Sequence, residues 1–346
     1  LNYTWIITGK LAISPMPSRR DIERLASTFD CVVVLASKSE LKYDLSLWKK
    51  FDVEYIYHPI PNYSAPHLIN LIKLMEWIEG RIASELKVLV HCVGGLGRSG
   101  TIAASYLVYG ENYRWIRAIN YVRERRKGAI ETLGQEAIIR ALNLTLNCMS
   151  KTALNKVISI GGKYGFGRRL EHSSKVLQLA ITLWSYLKSN LKLTTSSGTA
   201  LIIAAILHDV GKALSGKEHH YWTSKVIEDH FEELAENISE KALLKAKFTA
   251  YHHEAGDPRE NEDIPSEIRS EVVKLTSILR LADALDETLN QAVETVKCDR
   301  KRGELTIQVI LKENAKQLRE VVIERVLSKI SLLKELLDEQ VKVLVI

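Results

Sequence analysis

The chain has 346 residues, 46% of them hydrophobic, and a formal net charge of +6. That length predicts two domains with cores of their own and excludes a disordered protein, while the mild positive charge suits anionic substrates better than it argues for nucleic-acid binding. The longest apolar run is about seven residues, Leu201–Leu207, far short of a membrane span, and the N-terminus shows no secretory signal.

The first half alternates strands and helices. Strand-like Trp5-Ile-Ile is followed by a turn around Pro15 and Pro17 and a helix over about 18–29. Cys31-Val-Val-Val-Leu35 is a continuous β-branched run of the kind buried on both faces of a parallel sheet. A short helix over 45–51, a strand Glu54–His58, a helix Ala65–Ser84 and a strand Val88–Val90 follow. The alternation predicts an α/β domain with a mostly parallel sheet. The segment after Val90 then leaves the carboxyl end of a strand, the usual place for an α/β site.

That segment is His91-Cys92-Val93-Gly94-Gly95-Leu96-Gly97-Arg98-Ser99, with a helix predicted over about 99–109. Three glycines let the backbone curl so that successive N–H groups face inward, an anion-binding nest, and the helix aims its positive end at the same point. That field favours a thiolate at Cys92, and Arg98 can grip two phosphate oxygens through its planar fork. A glycine turn with a buried structural cysteine is the alternative. The strand, the glycines, the Ser after Arg and the helix agree on the first reading.

Over about residues 1–148 the chain resembles the cysteine-dependent protein phosphatases with a His-Cys-x5-Arg-Ser/Thr loop, nearest their dual-specificity branch. The resemblance implies that Cys92 attacks phosphorus, that Arg98 and the N–H groups of Val93–Gly97 hold the phosphoryl oxygens, and that Ser99 helps the sulfur leave. Gln135, in Thr132-Leu-Gly-Gln-Glu, would position the hydrolytic water. No cofactor is implied. In this family the loop matching Pro59–His67 carries an aspartate that protonates the leaving group; Asn62 stands at that position and cannot. General acid help is worth about 10²–10⁴-fold and matters least for a phosphate leaving from an anhydride. The substitution therefore tilts toward phosphoanhydrides. His67 could supply the proton instead, but a solvated loop histidine is the simpler reading. His91 orients the loop or is structural. The cluster Arg123, Arg125, Arg126, Lys127 reads as a solvated helix face, with the rim of the anion pocket as its alternative.

Residues 150–169 carry Gly161, Gly162, Gly165 and Gly167 and are expected to be a connector. Domains are expected at 1–149, 150–294 and 295–346. Seven of the ten histidines fall between 172 and 253, in helical patterns over about 170–190, 198–209, 221–234, 240–253 and 267–290. Asp283 interrupts the apolar helix Leu-Arg-Leu-Ala-Asp-Ala-Leu, where an unpaired carboxylate would be costly. Imidazole and carboxylate together suit Zn, Mn, Fe, Ni, Co or Mg.

The ordered set His…His-Asp…His…His…Asp resembles the HD phosphohydrolase superfamily. That resemblance implies that His172, His208, Asp209 and Asp283 hold a first divalent metal and that His220 and His252 extend the site to a second, with His219 and His253 as their neighbouring alternatives. Lys212 would contact substrate phosphate. Residues 165–346, with strands at Thr295–Cys298, Glu304–Leu311 and Gln340–Ile346 and a helix over about 314–337, are similar to the C-terminal half of the exopolyphosphatase/guanosine pentaphosphatase family. The fold class expected is a cysteine phosphatase α/β domain, then an all-α HD bundle with a small α/β extension.

The whole reads as a bifunctional phosphohydrolase of the cytoplasm, since four widely spaced cysteines and a thiolate nucleophile need reducing surroundings. Its partners would be phosphorylated small molecules, nucleotides, RNA 5′ ends or phosphoproteins, with no membrane. A tyrosine or dual-specificity phosphatase regulated by its HD half, or a catalytically weak phospho-binding module, are the alternatives.

Overall fold

The computed structural model describes residues 2–254, 256–301 and 303–346. The chain divides into two compact units, Leu1–Asn143 and Leu144–Ile346, a division slightly upstream of the expected boundary.

In the first unit β1 (Thr4–Ile7), β2 (Leu11–Ser14), α1 (Arg19–Ala26), β3 (Cys31–Val34), α2 (Ser46–Lys50), β4 (Glu54–Tyr57), α3 (Leu68–Ala83), β5 (Val88–His91), α4 (Gly97–Tyr109) and α5 (Trp115–Arg125) follow in order, and α6 (Leu133–Cys148) runs across the division. The sheet order is β1-β2-β5-β3-β4. Only β1 pairs antiparallel, to β2; β2, β5, β3 and β4 run parallel. Strands β3 and β5 occupy its interior and are buried throughout, His91 at the end of β5 included, as their largely apolar, valine-rich sequences lead one to expect. β5 is the middle strand, so the loop it feeds is held by neighbours on both sides. Every residue of α4 is buried. Its small residues permit this: Gly100 packs against Ala129 and Ile130, where even a methyl group would be tight.

The second unit contains α7 (Lys151–Lys163), α8 (Leu170–Leu187), α9 (Thr195–Leu207), α10 (His219–Asp229), α11 (Phe231–Ala235), α12 (Glu240–Tyr251) and α13 (Ser266–Ala284). β6 (Val293–Lys301) and β7 (Glu304–Leu311) form an antiparallel pair, to which β8 (Gln340–Val345) adds parallel to β7. The single helix expected over 314–337 is two, α14 (Arg319–Lys329) and α15 (Ser331–Leu336). The stretch expected as a connector is mostly α7, started by Ser150, whose hydroxyl accepts from Ala153 N–H; Ser at that position satisfies a free amide of the first turn. α9 is apolar nearly all round and sits wholly inside the bundle from Ala200 to Leu207. Among the described residues no helix is long and apolar enough to cross a membrane.

Candidate functional site

Two constellations carry chemistry, one in each unit. The first opens at the end of β5. Cys92 is buried; its Sγ accepts the Gly95 N–H at 3.2 Å and lies 3.4 Å from Ser99 Oγ. Gly95 has φ +71°, and a Cβ there would collide with the backbone of Ser14 and Pro15, so no other residue fits. The loop is held from outside by its carbonyls. Met16 N–H donates to Val93 O at 3.0 Å, Arg126 Nε–H to Gly95 O at 3.0 Å, and Gly100 N–H to Leu96 O at 3.0 Å. In a planar trans peptide the N–H points opposite to the C=O. Fixing those three carbonyls therefore aims the amides of Gly94, Leu96 and Gly97 away from these donors, toward the concave side. Arg126 belongs to the basic cluster read from the sequence as a solvated face. It is instead tied to the loop and to Asn2 O and Thr4 Oγ1 of the N-terminal strand.

Arg98 is locked before any substrate arrives. Its Nη1 and Nη2 donate to the two Glu40 oxygens at 2.8 and 2.9 Å, and Nη1 also donates to Ile60 O at 2.9 Å. Three of its five guanidinium donors are thus taken by Glu40 and Ile60 O, and the side chain also bonds Cys92. Burial opposes the charge on Arg98, but Glu40 and the Cys92 sulfur outweigh it and push its pKa up. The Arg98 hydrogen bond holds Glu40 down to about 2. A carboxylate depressed in the fold stabilises it above its unfolded pKa, and that contribution is lost as pH falls toward 2; the pair is intact at neutral pH.

His91 is buried, and desolvation pushes it down to about 4, so it is neutral. Its Nδ1–H donates to Cys92 O at 3.1 Å, which leaves Nε2 to accept the Tyr43 hydroxyl at 2.6 Å, itself bonded by Trp48 Nε1–H at 3.0 Å. His91 thus braces the carbonyl at the root of the loop. Gln135 is buried, with Oε1 accepting from Glu131 N at 2.7 Å and Nε2 donating to Ser64 O at 3.3 Å. Asn62 is exposed in the neighbouring turn. The site has a carboxyl group that Asn62 cannot provide: a Cβ on Gly97 would collide with Glu131 Oε2, so that carboxyl lies directly against the anion loop. Glu40, Tyr43 and Glu131 escaped the sequence reading; for Glu131 the available signal was its place four positions before Gln135, just ahead of α6.

The second constellation is built by helix ends. α9 stops at His208, and the Thr223 hydroxyl closes the turn beyond it by donating to His208 O at 2.9 Å and accepting Gly211 N–H at 3.0 Å. This presents His208 and Asp209 side by side. Gly167, φ +65°, abuts the Asp209 carbonyl so closely that a Cβ would collide with it. Gly167 of the expected connector thus forms part of the wall of this site.

His172 from the first turn of α8, His208 and Asp209 form one group able to hold a metal ion, and Asp209, His219 and His253 a second. Asp283 Oδ1 lies 3.1 Å from His172 Nε2 and 3.7 Å from His208 Nε2. The structure places His219 and His253, rather than His220 and His252, in the second group. His220 stacks edge-on with Tyr251, and His252 Nε2 accepts from Asn261 Nδ2 at 2.9 Å. Lys212 Nζ is 2.7 Å from Asp209 Oδ2.

The donor set fits a divalent cation. His172 Nδ1 bonds Asp286 at 3.0 Å, His208 Nδ1 bonds Ala205 O at 2.9 Å and His253 Nδ1 bonds Ala250 O at 2.6 Å. A carbonyl or carboxylate partner accepts a hydrogen bond from Nδ1–H, which fixes the tautomer whose Nε2 can act as a ligand. Nε2 atoms then face each other at 3.2 Å (His172 and His208) and 3.4 Å (His219 and His253). Tetrahedral zinc with nitrogen ligands has such an edge, about 3.3 Å, given Zn–N bonds of about 2.0–2.1 Å. Asp209 Oδ1 is buried without a hydrogen-bond partner, 3.7 Å from each of His208, His219 and His253 Nε2. A buried orphan acceptor facing imidazole nitrogens is answered by a cation; His219 Nε2 also lies 2.8 Å from Glu254 Oε2, which would have to release it to a metal. Asp286, buried and held by Gln291 N and Nε2 at 3.1 and 2.8 Å, belongs to the run that carries the exopolyphosphatase resemblance but was given no role from the sequence. Burial opposes ionisation of Asp283, but the His172 hydrogen bond and nearby imidazoles hold it at about 2. Burial likewise opposes protonation of His172, yet Asp283 and Asp286 raise it to about 9, so a metal ion at Nε2 would displace a proton.

The fold and the two sites define a phosphatase chain of two parts. Residues 2–139 match the model of the Swiss Army Knife protein DSP-PTPase phosphatase domain. Residues 163–339 match that of the Ppx/GppA phosphatase domain III. The second match covers more than half of the chain, which belongs to the Ppx/GppA phosphatase domain III family and carries a DSP-PTPase domain ahead of it. Cyclin-dependent kinase inhibitor 3 of Sus scrofa is 32% identical over 151 residues, 41% of this chain and 71% of that protein. Its Rattus norvegicus counterpart is 34% identical over 125 residues, 34% of this chain and 59% of that protein. The chain thus spans roughly three-fifths to seven-tenths of these relatives' lengths. Among solved structures, Tk-PTP in its active form is 40% identical, with 41% of this chain and 95% of that one covered and a TM-score of 0.40.

Proposed function

We propose that the chain is a bifunctional phosphohydrolase. In the first unit Cys92 Sγ attacks phosphorus while Arg98 and the loop amides take the negative charge of the equatorial oxygens. The bond to the leaving oxygen breaks, and Glu131 delivers its proton. Water positioned by Gln135 then attacks the phosphocysteine, releasing phosphate and the sulfur, to which Ser99 donates. The observation that carries this reading is the finished state of the cup: Gly95 N–H already on Sγ and the Arg98 fork already squared on Glu40.

In the second unit His172, His208, Asp209 and Asp283, with His219 and His253, would hold divalent metal. A bound metal would polarise a phosphoryl oxygen and lower the cost of forming hydroxide. Lys212, on the Asp209 carboxylate, would meet substrate phosphate, and Asp286 fixes the tautomer of His172.

Two phosphate chemistries in one chain favour successive steps on one nucleotide, polyphosphate or RNA 5′ end. Glu131 favours a second reading, a tyrosine or dual-specificity phosphatase regulated by the metal half, because a carboxyl against the loop restores help for ester leaving groups. A substrate panel separates them. Release from nucleoside di- and triphosphates supports the first; brisk release from phosphotyrosine and phosphoserine peptides with none from anhydrides rejects it. Trapping phosphocysteine on Cys92 tests the first unit, and elemental analysis of the purified chain tests the second.

A further inference from the structure

Helix α5 and the residues that flank it gather positive charge on the first unit. Residues 114–127 hold six basic side chains and one acidic, Glu124. Two of the six are turned to structural work. Arg123 donates to the Ala129 and Ile130 carbonyls and to Glu136, and Arg126 to Gly95 O. The other four, Arg114, Arg117, Arg125 and Lys127, are exposed.

Two of these four are seated on rings. Arg117 Cζ lies 4.3 Å from the centroid of Tyr113, and Arg125 Cζ 3.4 Å from that of Tyr121. The two tyrosines meet edge-on, 5.5 Å apart at 83°, and Arg125 Nη1 donates to Tyr121 O at 3.4 Å. Positions 113, 117, 121 and 125 recur every four residues, so they follow one side of α5 and form a single strip of alternating Tyr and Arg. Among the described residues no carboxylate pairs with Arg117 or Arg125; each rests on a tyrosine instead. A guanidinium seated on a ring keeps a second flat face and an N–H edge, and exposure leaves both open to a ligand.

The strip has the dimensions of a short strand. Arg117 and Arg125 are eight residues apart, about 12 Å by helical rise. A stacked nucleic-acid strand carries one phosphate per about 3.4 Å, so the strip spans about three nucleotides. Unpaired bases stack on guanidinium and tyrosine planes while N–H edges take the phosphates between them. An acidic peptide would use the charges and leave the flat faces idle, and a duplex would keep its bases from them.

We propose that this strip binds single-stranded nucleic acid. The proposal does not depend on either hydrolytic reading, because no residue of the strip belongs to the cup or to the His/Asp groups.

The test is fluorescence anisotropy of the full chain with a labelled single-stranded RNA dodecamer. Its 5′ end is a hydroxyl, so that no terminal phosphate is offered to the cup. Saturable binding that weakens with salt is expected. Arg117→Ala with Arg125→Ala should weaken it at least about tenfold, the loss expected when a stacking platform is removed. The slope of log K against log salt should become shallower by about 1.4, for two contacts at about 0.7 each. Lysine at both positions should keep the slope and still lose affinity, because an ammonium pairs with phosphate but offers no plane. Thermal melting checks the fold of each variant, and if the alanine pair melts early the lysine pair carries the test. No saturable binding at low salt, an affinity unmoved by the substitutions, or a lysine pair as tight as the wild type would overturn the strip. So would equal binding of duplex RNA, or equal displacement by polyglutamate, which would assign these charges to an acidic protein partner.

Discussion

The two sites hold their donors by opposite means. The cysteine cup is one stretch of eight residues, Cys92–Ser99, shaped by backbone: glycines set its curl, and outside donors on its carbonyls set which way its amides face. The histidine cluster is drawn from residues as far apart as His172 and Asp286, held by side chains at the ends of separate helices. A backbone site is written locally and tolerates change around it; a side-chain cluster depends on every helix keeping its register. Removal of each centre should separate the two. Cys92→Ser should lower the metal-independent activity by at least about 10³-fold and leave chelator-sensitive activity in place, and Asp209→Ala should do the reverse. Loss of both activities in either variant, measured with and without chelator, would mean that the units do not act as separate centres.

The leaving-group proton sharpens the first side of the comparison. If Glu131 supplies it, Glu131→Gln should cut kcat/KM by about 10²-fold on alkyl phosphates. Aryl phosphates should lose less, and nucleoside diphosphates almost nothing. A uniform fall across all three classes would assign Glu131 to holding the loop near Gly97 rather than to proton transfer. On the other side, Asp286→Asn should weaken divalent metal binding by about 10–100-fold, because His172 loses the carboxylate that fixes its Nδ1 proton. Competition with a fluorescent chelator reads this directly, and unchanged affinity would remove Asp286 from the site.

What could be read in the sequence follows the same divide. The cup was legible because strand, glycines, Cys92, Arg98 and helix are contiguous, and the structure moves only the helix start, from 99 to Gly97. The parallel sheet was legible from the β-branched runs at 31–35 and 88–90. The histidine choice was not, because neighbours on a helix point about 100° apart, so His219 and His220 cannot both face inward. The buried stripe His219, Thr223, Val226 and the stripe Ala246, Thr249, Ala250, His253 carry the answer at helical spacing. Reading it would have required knowing that α10 begins at His219. Glu40 and Tyr43 were invisible for a different reason. They lie in an irregular segment, and their pairing with Arg98 and His91 spans 58 and 48 residues with no local pattern to announce it. The glycines at 165 and 167 were read as spacing, although Gly167 marks the close approach of backbone to Asp209.

The smallest expected effect tests how the cup is held. Arg126 makes no contact with a substrate by the present geometry; it acts through Gly95, whose carbonyl it fixes at 3.0 Å. Gly95 can turn to either sign of φ more freely than any other residue, so its peptide needs an outside anchor. Without one, the Leu96 N–H leaves the cup for part of the time. Losing an oxyanion donor altogether costs about 10²–10³-fold, so partial loss in Arg126→Met should cost about tenfold in kcat/KM. Inhibition by vanadate should weaken by a similar factor, because the same amide holds both the inhibitor and the transition state. Arg126→Lys, which keeps one donor within reach of Gly95 O, should recover part of both. If Arg126→Met lowers thermal stability through its lost contacts with Asn2 and Thr4 but leaves vanadate inhibition of the folded protein unchanged, the residue only ties down the N-terminal strand, and the amides of the cup are aimed by the helix and Met16 alone.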